Sequence, residues 1–186
     1  MAKFKTDRSK KVRLPRVALV LAACIFVLGT SEFVIAGLLP ELAADLNVSI
    51  PQAGYLISAF AVAMIIGAPA MAVLTLPLPR RTTLIAALVT FVAAHVLSAL
   101  APGYGVLLIS RVIAAVAIGA FWAVAAVVTV SAAGPALQAR ALAVLLSGLS
   151  IANVAGVPLG TLIGQEFGWR ATFWTLAGAR IVGIVG

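Results

Sequence analysis

The chain has 186 residues, of which 63% are hydrophobic and 10% are charged, and its formal net charge is +8. Too few polar groups remain to cover a water-soluble globule of this length, so the composition excludes a soluble enzyme or a soluble binding domain and favours several membrane spans. No nucleic-acid partner is expected either, because seven of the 13 Lys and Arg residues lie within residues 1–16. That cluster is typical of a basic cytoplasmic tail in front of a first span.

The predicted organisation is a basic cytoplasmic N-terminal tail over residues 1–16, followed by an N-terminal transmembrane bundle over residues 17–186. Each of the first five apolar spans has about 20 residues or more, which at about 1.5 Å per residue crosses a hydrocarbon core of about 30 Å. The sixth is incomplete, so we expect an all-α integral membrane protein that is one half of a longer chain. The spans cover about 17–39, 53–76, 82–101, 105–130, 141–164 and 171–186.

The charges between the spans predict the orientation in the lipid bilayer. With the tail inside, ten basic residues lie on the inner side, and Arg170 alone lies on the outer side. An excess of Lys and Arg in the cytoplasmic loops is the main topological signal in membrane proteins. We therefore expect a multi-pass protein of the cell (inner) membrane whose N-terminus is cytoplasmic.

A faint internal repeat is found when the sequence is shifted by 89 residues against itself. Because this shift equals three spans, the two copies would be inverted relative to each other in the membrane. A 3+3 inverted repeat is typical of transporters. The most informative matches are Gly67 with Gly156, Pro69 with Pro158 and Arg81 with Arg170.

Glu32 carries the most functional information, because it lies inside the otherwise uncharged first span. A carboxylate there costs roughly 2.5–3.5 kcal/mol on insertion scales and needs a partner or a function. Glu32 and Arg111 both lie about 9–10 Å below the outer edge of the membrane, whereas Arg180 lies about 14 Å below it. We predict that Glu32 and Arg111 lie close together and couple protons to transport. A static ion pair between the two helices is the alternative.

The fifth span carries small residues at every fourth position, which predicts close packing against another helix. Pro158 lies among them, removes a backbone hydrogen bond and predicts a bend. Two interpretations stay open, namely a packing seam alone and a seam that also moves during transport. The small residues are Gly148, Ala152, Gly156, Gly160 and Gly164.

Other residues give weaker indications. Asn153 and Trp122 are candidates for the lining of a substrate cavity, and His95 is expected to be an interfacial residue rather than a proton relay. The chain has no phosphate-binding glycine loop, no metal-ligand spacing and no nucleophile elbow. We therefore expect no enzymatic activity and no cofactor or metal, with the proton gradient as the energy source.

Four sequence strings cover nearly everything after the basic tail. They are GTSEFVIAGLLPELAADL from Gly29, SAFAVAMIIGAPAMAVLTLPLPRR from Ser58, LLISRVIAAVAIGAFWAVA from Leu107 and GLSIANVAGVPLGTLIGQEFGWRATFW from Gly148. With these strings the chain resembles the major facilitator superfamily, in particular its proton-coupled drug exporters of the chloramphenicol-resistance kind. The resemblance implies the six-helix N-terminal half of a twelve-span transporter, so the missing partner would be a C-terminal transmembrane half.

The resemblance also implies roles for charged residues. Glu32 would match the acidic residue of the first helix that takes part in proton or substrate coupling. Arg111 would match the arginine of the fourth-helix motif linked to proton transfer. Arg80 and Arg81 would be the basic end of the loop motif that gates the inner side. That loop motif normally holds an aspartate and a glycine, but TLPLP stands in their place here, which puts the charge relay of the gate in doubt.

The fifth span would match the antiporter-motif helix of the family. Gly156, Pro158 and Gly160 would be the motif residues, with Gly148 two turns earlier on the same helix. This sequence departs from the family pattern, because it reads Gly-Val-Pro-Leu-Gly rather than Gly-Pro followed later by paired glycines.

The function that the resemblance implies is proton-coupled efflux of small lipophilic drugs, chloramphenicol above all, by alternating access. An exporter of sugars or other metabolites is the alternative within transport. The alternative from another class is a non-transporting membrane fragment, or an assembly partner that acts through the small-residue face of the fifth span.

Overall fold

The computed structural model describes the backbone of residues 15–185 and the side chains of residues 15–180. Apart from Pro15 and Arg16, the predicted tail lies outside the described residues. The α-helices of the described part are α1 Arg16–Gly37, α2 Leu39–Asp45, α3 Ile50–Leu74, α4 Arg80–Ala99, α5 Tyr104–Ala133, α6 Gln138–Ile151, α7 Val157–Phe167 and α8 Trp169–Val185. A 3-10 turn precedes α6, and a π-helical turn, Ala152–Gly156, joins α6 to α7.

The all-α membrane fold predicted from the sequence is confirmed. Helices α1, α3, α4 and α5 and the continuous segment from Pro135 to Phe167 are each long and apolar enough to cross a membrane. Helix α8 adds 17 residues, and no strand occurs within residues 15–185. The chain is therefore built from long apolar helices joined by short connections.

Local sequence determines where several helices begin and end. Ser49 caps α3 by accepting a hydrogen bond from the backbone N–H of Gln52, whose side chain accepts one from the N–H of Ser49 in return. Gly134 and Gly168 end α5 and α7 with positive φ angles of 69° and 83°, which glycine adopts without a side-chain clash. These turns hold the neighbouring spans antiparallel.

A layer of polar side chains divides the apolar core into two clusters. One cluster is built around Leu28, Phe91 and Phe121, and the other around Val34, Leu107 and Phe173. On α1, α4 and α5 the residues between the two clusters are polar and buried. They are Ser31, His95 and Arg111.

The helices pack in the pattern that the predicted inverted repeat requires. Helix α3 lies mainly against α5, and the α6–α7 segment lies mainly against α1. The first three spans are α1, α3 and α4, and the last three are α5, the α6–α7 segment and α8. If each span is replaced by its counterpart in the other set, the contact of α3 with α5 becomes the contact of the α6–α7 segment with α1. The backbones approach closely in both: a Cβ on Gly119 would lie 2.8 Å from the backbone of Ala68 in α3, and a Cβ on Gly29 would lie 3.1 Å from Ala152.

The small residues of the fifth span pack against another helix, as predicted, and that helix is α1. A Cβ added to Gly148 would collide with the backbone of Ala22, and one added to Gly156 would collide with the Thr30 hydroxyl. A Cβ on Gly160 would lie 2.8 Å from Val34. Larger side chains on this face would push the two helices apart, so the glycines allow the close packing.

The fifth span also changes its helical geometry at the predicted position. Pro158 has no N–H to donate and its ring would crowd the carbonyl four residues earlier, so a regular α-helix is disfavoured there. The chain adopts the π-helical turn Ala152–Gly156 just before this proline. Such turns bend a helix and are frequent at functional positions.

One carboxylate joins the end of α2 to the start of α8. Asp45 at the end of α2 accepts hydrogen bonds from the Trp169 indole at 2.9 Å and from the Arg170 guanidinium at 2.6 Å. Arg170 also donates to the carbonyl of Ala101 at 3.1 Å, so the connection after α4 joins the same cluster. These donors hold the pKa of Asp45 below its usual range, the Arg170 hydrogen bond most strongly.

We expect Asp45→Asn to lower the stability of the protein slightly, by less than about 1 kcal/mol, because this ion pair is exposed. Since folding lowers the pKa of Asp45, its contribution is present above its unfolded pKa of about 3.9 and is lost as the pH falls further. The measurement is thermal unfolding of both proteins from pH 7 down to pH 3, with Glu166→Gln as the control. A stability difference that is as large at pH 3 as at pH 7 would contradict this origin.

Candidate functional site

Arg111 on α5 reaches across the polar layer to α1. Its side chain is 1% exposed. Its guanidinium donates to Ser31 twice, from Nη1 to the hydroxyl at 3.3 Å and from Nη2 to the backbone carbonyl at 3.1 Å. The Phe60 ring lies beneath the guanidinium, with its centroid 4.4 Å away, so a cation–π contact adds to its stabilisation.

Glu32 and Arg111, which the sequence predicts to lie close together, are not in direct contact. Within residues 15–180 no hydrogen bond or ion pair joins the two side chains, and the partner of Arg111 is Ser31, the residue before Glu32. Arg111 still lies close enough to act electrostatically on the carboxyl group. The Ser31 oxygens satisfy two N–H groups without burying a second full charge, which is costly in an apolar core. Glu32 itself is only half-buried.

The prediction that His95 lies at the membrane interface is wrong. Its ring is fully buried in the polar layer, with Nε2 at 2.6 Å from the Ser31 hydroxyl and Nδ1 at 2.8 Å from the Phe91 carbonyl. Phe91 stacks on the ring at a centroid distance of 3.9 Å, and Phe173 lies against it at 5.7 Å. His95, Ser31 and Arg111 therefore form one continuous hydrogen-bonded cluster, hereafter the Ser31 cluster.

Sequence reasoning missed Ser31 and His95 as site residues, although one signal was available for the histidine. His95 lies six residues before the outer end of its predicted span at residue 101, which corresponds to about 9 Å below the membrane edge. Arg111 has the same depth. No comparable signal exists for Ser31, since a serine in an apolar helix can also satisfy itself on its own backbone.

Arg180 is the second buried arginine of the core and belongs to a different environment. Its side chain is 1% exposed, and its guanidinium lies 5.1 Å and 5.7 Å from the ring centroids of Phe91 and Phe121. Nε and Nη2 have no hydrogen-bond partner among the described residues. The two aromatic faces attract this cation, and the Cys24 side chain also interacts with it.

Asn153 and Trp122, predicted as cavity-lining residues, lie apart from the Ser31 cluster. Asn153 is exposed within the π-helical turn and donates to the carbonyl of Leu149 at 3.0 Å. Trp122 is half-buried and packs against the core cluster around Phe121. Their role in a cavity stays a prediction.

Arg80 and Arg81 are both exposed at the start of α4. Arg80 donates from Nη1 to the hydroxyl of Ser131 near the end of α5, at 3.2 Å, and lines a cavity of about 320 Å³ together with Thr83 and Val127. The TLPLP segment before Arg80 turns the chain between α3 and α4. The predicted gating role of the two arginines stays a prediction.

Glu32 is a carboxyl group that can gain or lose a proton, beside a buried cation held in place by the Ser31 cluster. Within the residues that the structure describes, no three His, Cys, Asp or Glu side chains are grouped so that they could hold a metal ion. An acid and a fixed cation in an apolar span are typical of transport proteins.

Comparison with known proteins agrees with this reading. The family model described as Major Facilitator Superfamily matches residues 21–186. The chain is 49% identical over 165 residues to a chloramphenicol resistance protein of Streptomyces lividans, an alignment that covers 88% of this chain and 42% of that protein. It is 42% identical over 175 residues to the inner membrane transport protein YdhP of Escherichia coli strain K12, covering 94% of this chain and 44% of the relative.

The chain thus spans less than half the length of these two relatives. Its long apolar helices, its inverted packing pattern and its buried charges are those of a multi-pass membrane transport protein. With the family match over most of its length, the chain belongs to the Major Facilitator Superfamily.

Proposed function

We propose that the chain is the N-terminal half of a proton-coupled exporter of small lipophilic drugs, with chloramphenicol as the first substrate to test. The observation that carries the proposal is Glu32, a half-buried carboxyl group in an apolar span. It lies beside the buried Arg111, whose hydrogen bonds go to Ser31. The chloramphenicol resistance protein of Streptomyces lividans, at 49% identity, supports the choice of substrate.

In this mechanism Glu32 takes a proton from the outer side and releases it to the inner side as the drug moves outward. A protonated carboxyl group is neutral and tolerates an apolar environment, whereas the carboxylate requires water or a cation. The two protonation states therefore favour different conformations, and the proton gradient can drive the exchange between them.

A face of α1 offers apolar surface for a lipophilic substrate. A groove of about 370 Å³ runs between α1 and α6 and is lined by Leu19, Phe26, Val144 and Ile151 among others. Its size is within the range of about 300–1,000 Å³ that is usual for sites that bind small molecules. In the proposed transporter a second six-helix half would close this surface into a cavity, and Asn153 and Trp122 remain candidates for its lining.

The proposed substrate class is tested by drug accumulation in cells that make the full-length transporter. We expect the wild-type protein to lower cellular chloramphenicol relative to cells with empty vector, and a protonophore to abolish the difference. Unchanged chloramphenicol together with lower cellular sugar or metabolite would favour the alternative exporter. No energy-dependent change in any of these compounds would contradict proton-coupled export.

Residues 1–186 alone are expected to insert with the N-terminus in the cytoplasm and to export nothing, because alternating access needs one half to move against the other. The measurements are accessibility of an N-terminal tag from the outer side and chloramphenicol accumulation, each compared with the full-length protein. Energy-dependent export by residues 1–186 would mean that two copies form a complete transporter. A tag accessible from outside would contradict the proposed orientation.

A further inference from the structure

In the Ser31 cluster, a neutral His95 ring determines which group donates and which accepts in each hydrogen bond. The Phe91 carbonyl can only accept, so Nδ1 of His95 carries the proton and donates to it. In a neutral ring Nε2 is then an acceptor, and the Ser31 hydroxyl donates to it. The oxygen of that hydroxyl accepts the hydrogen bond from Nη1 of Arg111.

A doubly protonated His95 does not fit this arrangement. The Ser31 oxygen has two lone pairs and could accept from both Nε2 and Arg111, but a second positive charge would then lie next to the guanidinium in the same buried layer. The stacked Phe91 ring and the adjacent Phe173 ring leave His95 little freedom to turn toward another partner. The cluster therefore requires a neutral histidine that accepts through Nε2.

Few other ionisable groups act on this part of the protein. Helix α3 has no charged residue, and those of the α6–α7 segment, Arg140 and Glu166, lie near its ends. Helix α8 contributes Arg180, which lies over Phe91 and Phe121. The groups that face Glu32 from the polar layer are therefore Arg111 on α5 and, behind Ser31, His95 on α4.

We propose that His95 is a positioning residue that orients the Ser31 hydroxyl, so that Ser31 holds Arg111 and limits how closely the guanidinium approaches Glu32. The proposal rests on the proposed function only in taking Glu32 as the proton carrier. It explains why a buried histidine contacts neither Glu32 nor Arg111 directly and yet is joined to the arginine through one hydroxyl group.

Removing the acceptor at position 95 changes the partner of Arg111. The Ser31 hydroxyl then turns to its own helix backbone, a common alternative for serine, and Nη1 loses its ordered partner. Nη2 keeps its hydrogen bond to the Ser31 carbonyl, but the Nη1 side of the guanidinium can turn toward the Glu32 carboxylate on the next residue. A cation at shorter distance favours the charged carboxylate, so a lower pH is needed to protonate it.

The test is the pH dependence of carbodiimide labelling at Glu32 in the full-length transporter, because this reagent modifies protonated carboxyl groups in apolar surroundings. We expect the midpoint of labelling to shift to lower pH by about one unit in His95→Phe and in Ser31→Ala. His95→Gln, whose amide oxygen can accept from Ser31, should return the midpoint toward the wild-type value. Mass spectrometry of the peptide that contains Glu32 gives the readout.

Ser98→Ala is the matched control, since Ser98 is a buried serine one turn from His95 whose hydroxyl pairs with Ser110 at 2.7 Å, outside the Ser31 cluster. Its labelling midpoint should equal that of the wild type. Equal midpoints in wild type, His95→Phe and Ser31→Ala would overturn the proposal, as would a shift in Ser98→Ala. If His95→Phe does not fold, Ser31→Ala alone decides the question.

The labelling needs no transported drug, so the two proposals can fail separately. A shifted midpoint in a protein that does not export chloramphenicol would support the positioning role and reject the proposed substrate. Normal export with unshifted midpoints would support the proposed function and reject the role of His95.

Discussion

Glu32→Gln is expected to abolish energy-dependent drug export while leaving the protein inserted and folded. Glutamine has nearly the shape of the protonated carboxyl group but cannot release a proton, so it imitates one state of the cycle only. We expect chloramphenicol accumulation in cells with this variant to equal that in cells with empty vector. Membrane content and thermal stability should stay at the wild-type level, since removing a charge from an apolar span relieves a burial cost.

Glu166→Gln is the control for Glu32→Gln, because it makes the same chemical change at an exposed position. It should export as the wild type does. Full export by Glu32→Gln would mean that the carboxyl group is structural, and the proton would then have to be carried by another group.

Gly156→Leu is expected to prevent correct packing of the fifth span on α1. Even the Cβ of a larger residue would collide with the Thr30 hydroxyl and lie 3.2 Å from the Phe26 ring. Thr30 is fixed by a hydrogen bond to the Phe26 carbonyl at 2.8 Å and cannot move aside freely. Overpacking of a tight interface usually costs about 1–3 kcal/mol, and a leucine exceeds the space available by several atoms. Loss of the monodisperse, drug-exporting protein is the expected result.

Two variants separate packing from a general effect of replacing glycine in a helix. Gly178→Leu should be tolerated, because Gly178 is exposed and a Cβ there meets no atom of the described residues within 4 Å. Gly156→Ala should destabilise the protein measurably by thermal unfolding, and adding Thr30→Ala should restore part of the loss, since it removes the colliding hydroxyl. Equal stability of Gly156→Leu and wild type would show that this face does not pack tightly on α1.

Helix content and depth in the membrane could be predicted from the sequence, but rotation about a helix axis could not. Residue counts placed Arg111 level with the Glu32 region of α1, and the structure finds its partner one residue away at Ser31. One residue turns the side chain by about 100° around a helix. Which of two neighbours faces α5 depends on the packing of the whole bundle, and no single span encodes it.

The fifth span is a second example of what the sequence could and could not predict. Its glycine spacing predicted close contact with another helix, because small residues on one face allow a close approach, but it did not predict that this helix is α1. Pro158 predicted a break in the hydrogen bonding. The break takes the form of a π-helical turn over Ala152–Gly156. This form depends on the packing of the fifth span against its neighbouring helices, so it could not be predicted from the sequence.

The central claim is that a proton moves one way while the drug moves the other, through Glu32. The most direct measurement is uptake of radiolabelled chloramphenicol into vesicles that contain the purified full-length transporter and have a lumen more acidic than the outside. Wild-type vesicles should accumulate the drug until the pH gradient is collapsed by an ionophore, and Glu32→Gln vesicles should not. Accumulation that is independent of the gradient, or equal in the two proteins, would contradict proton-coupled export through this residue.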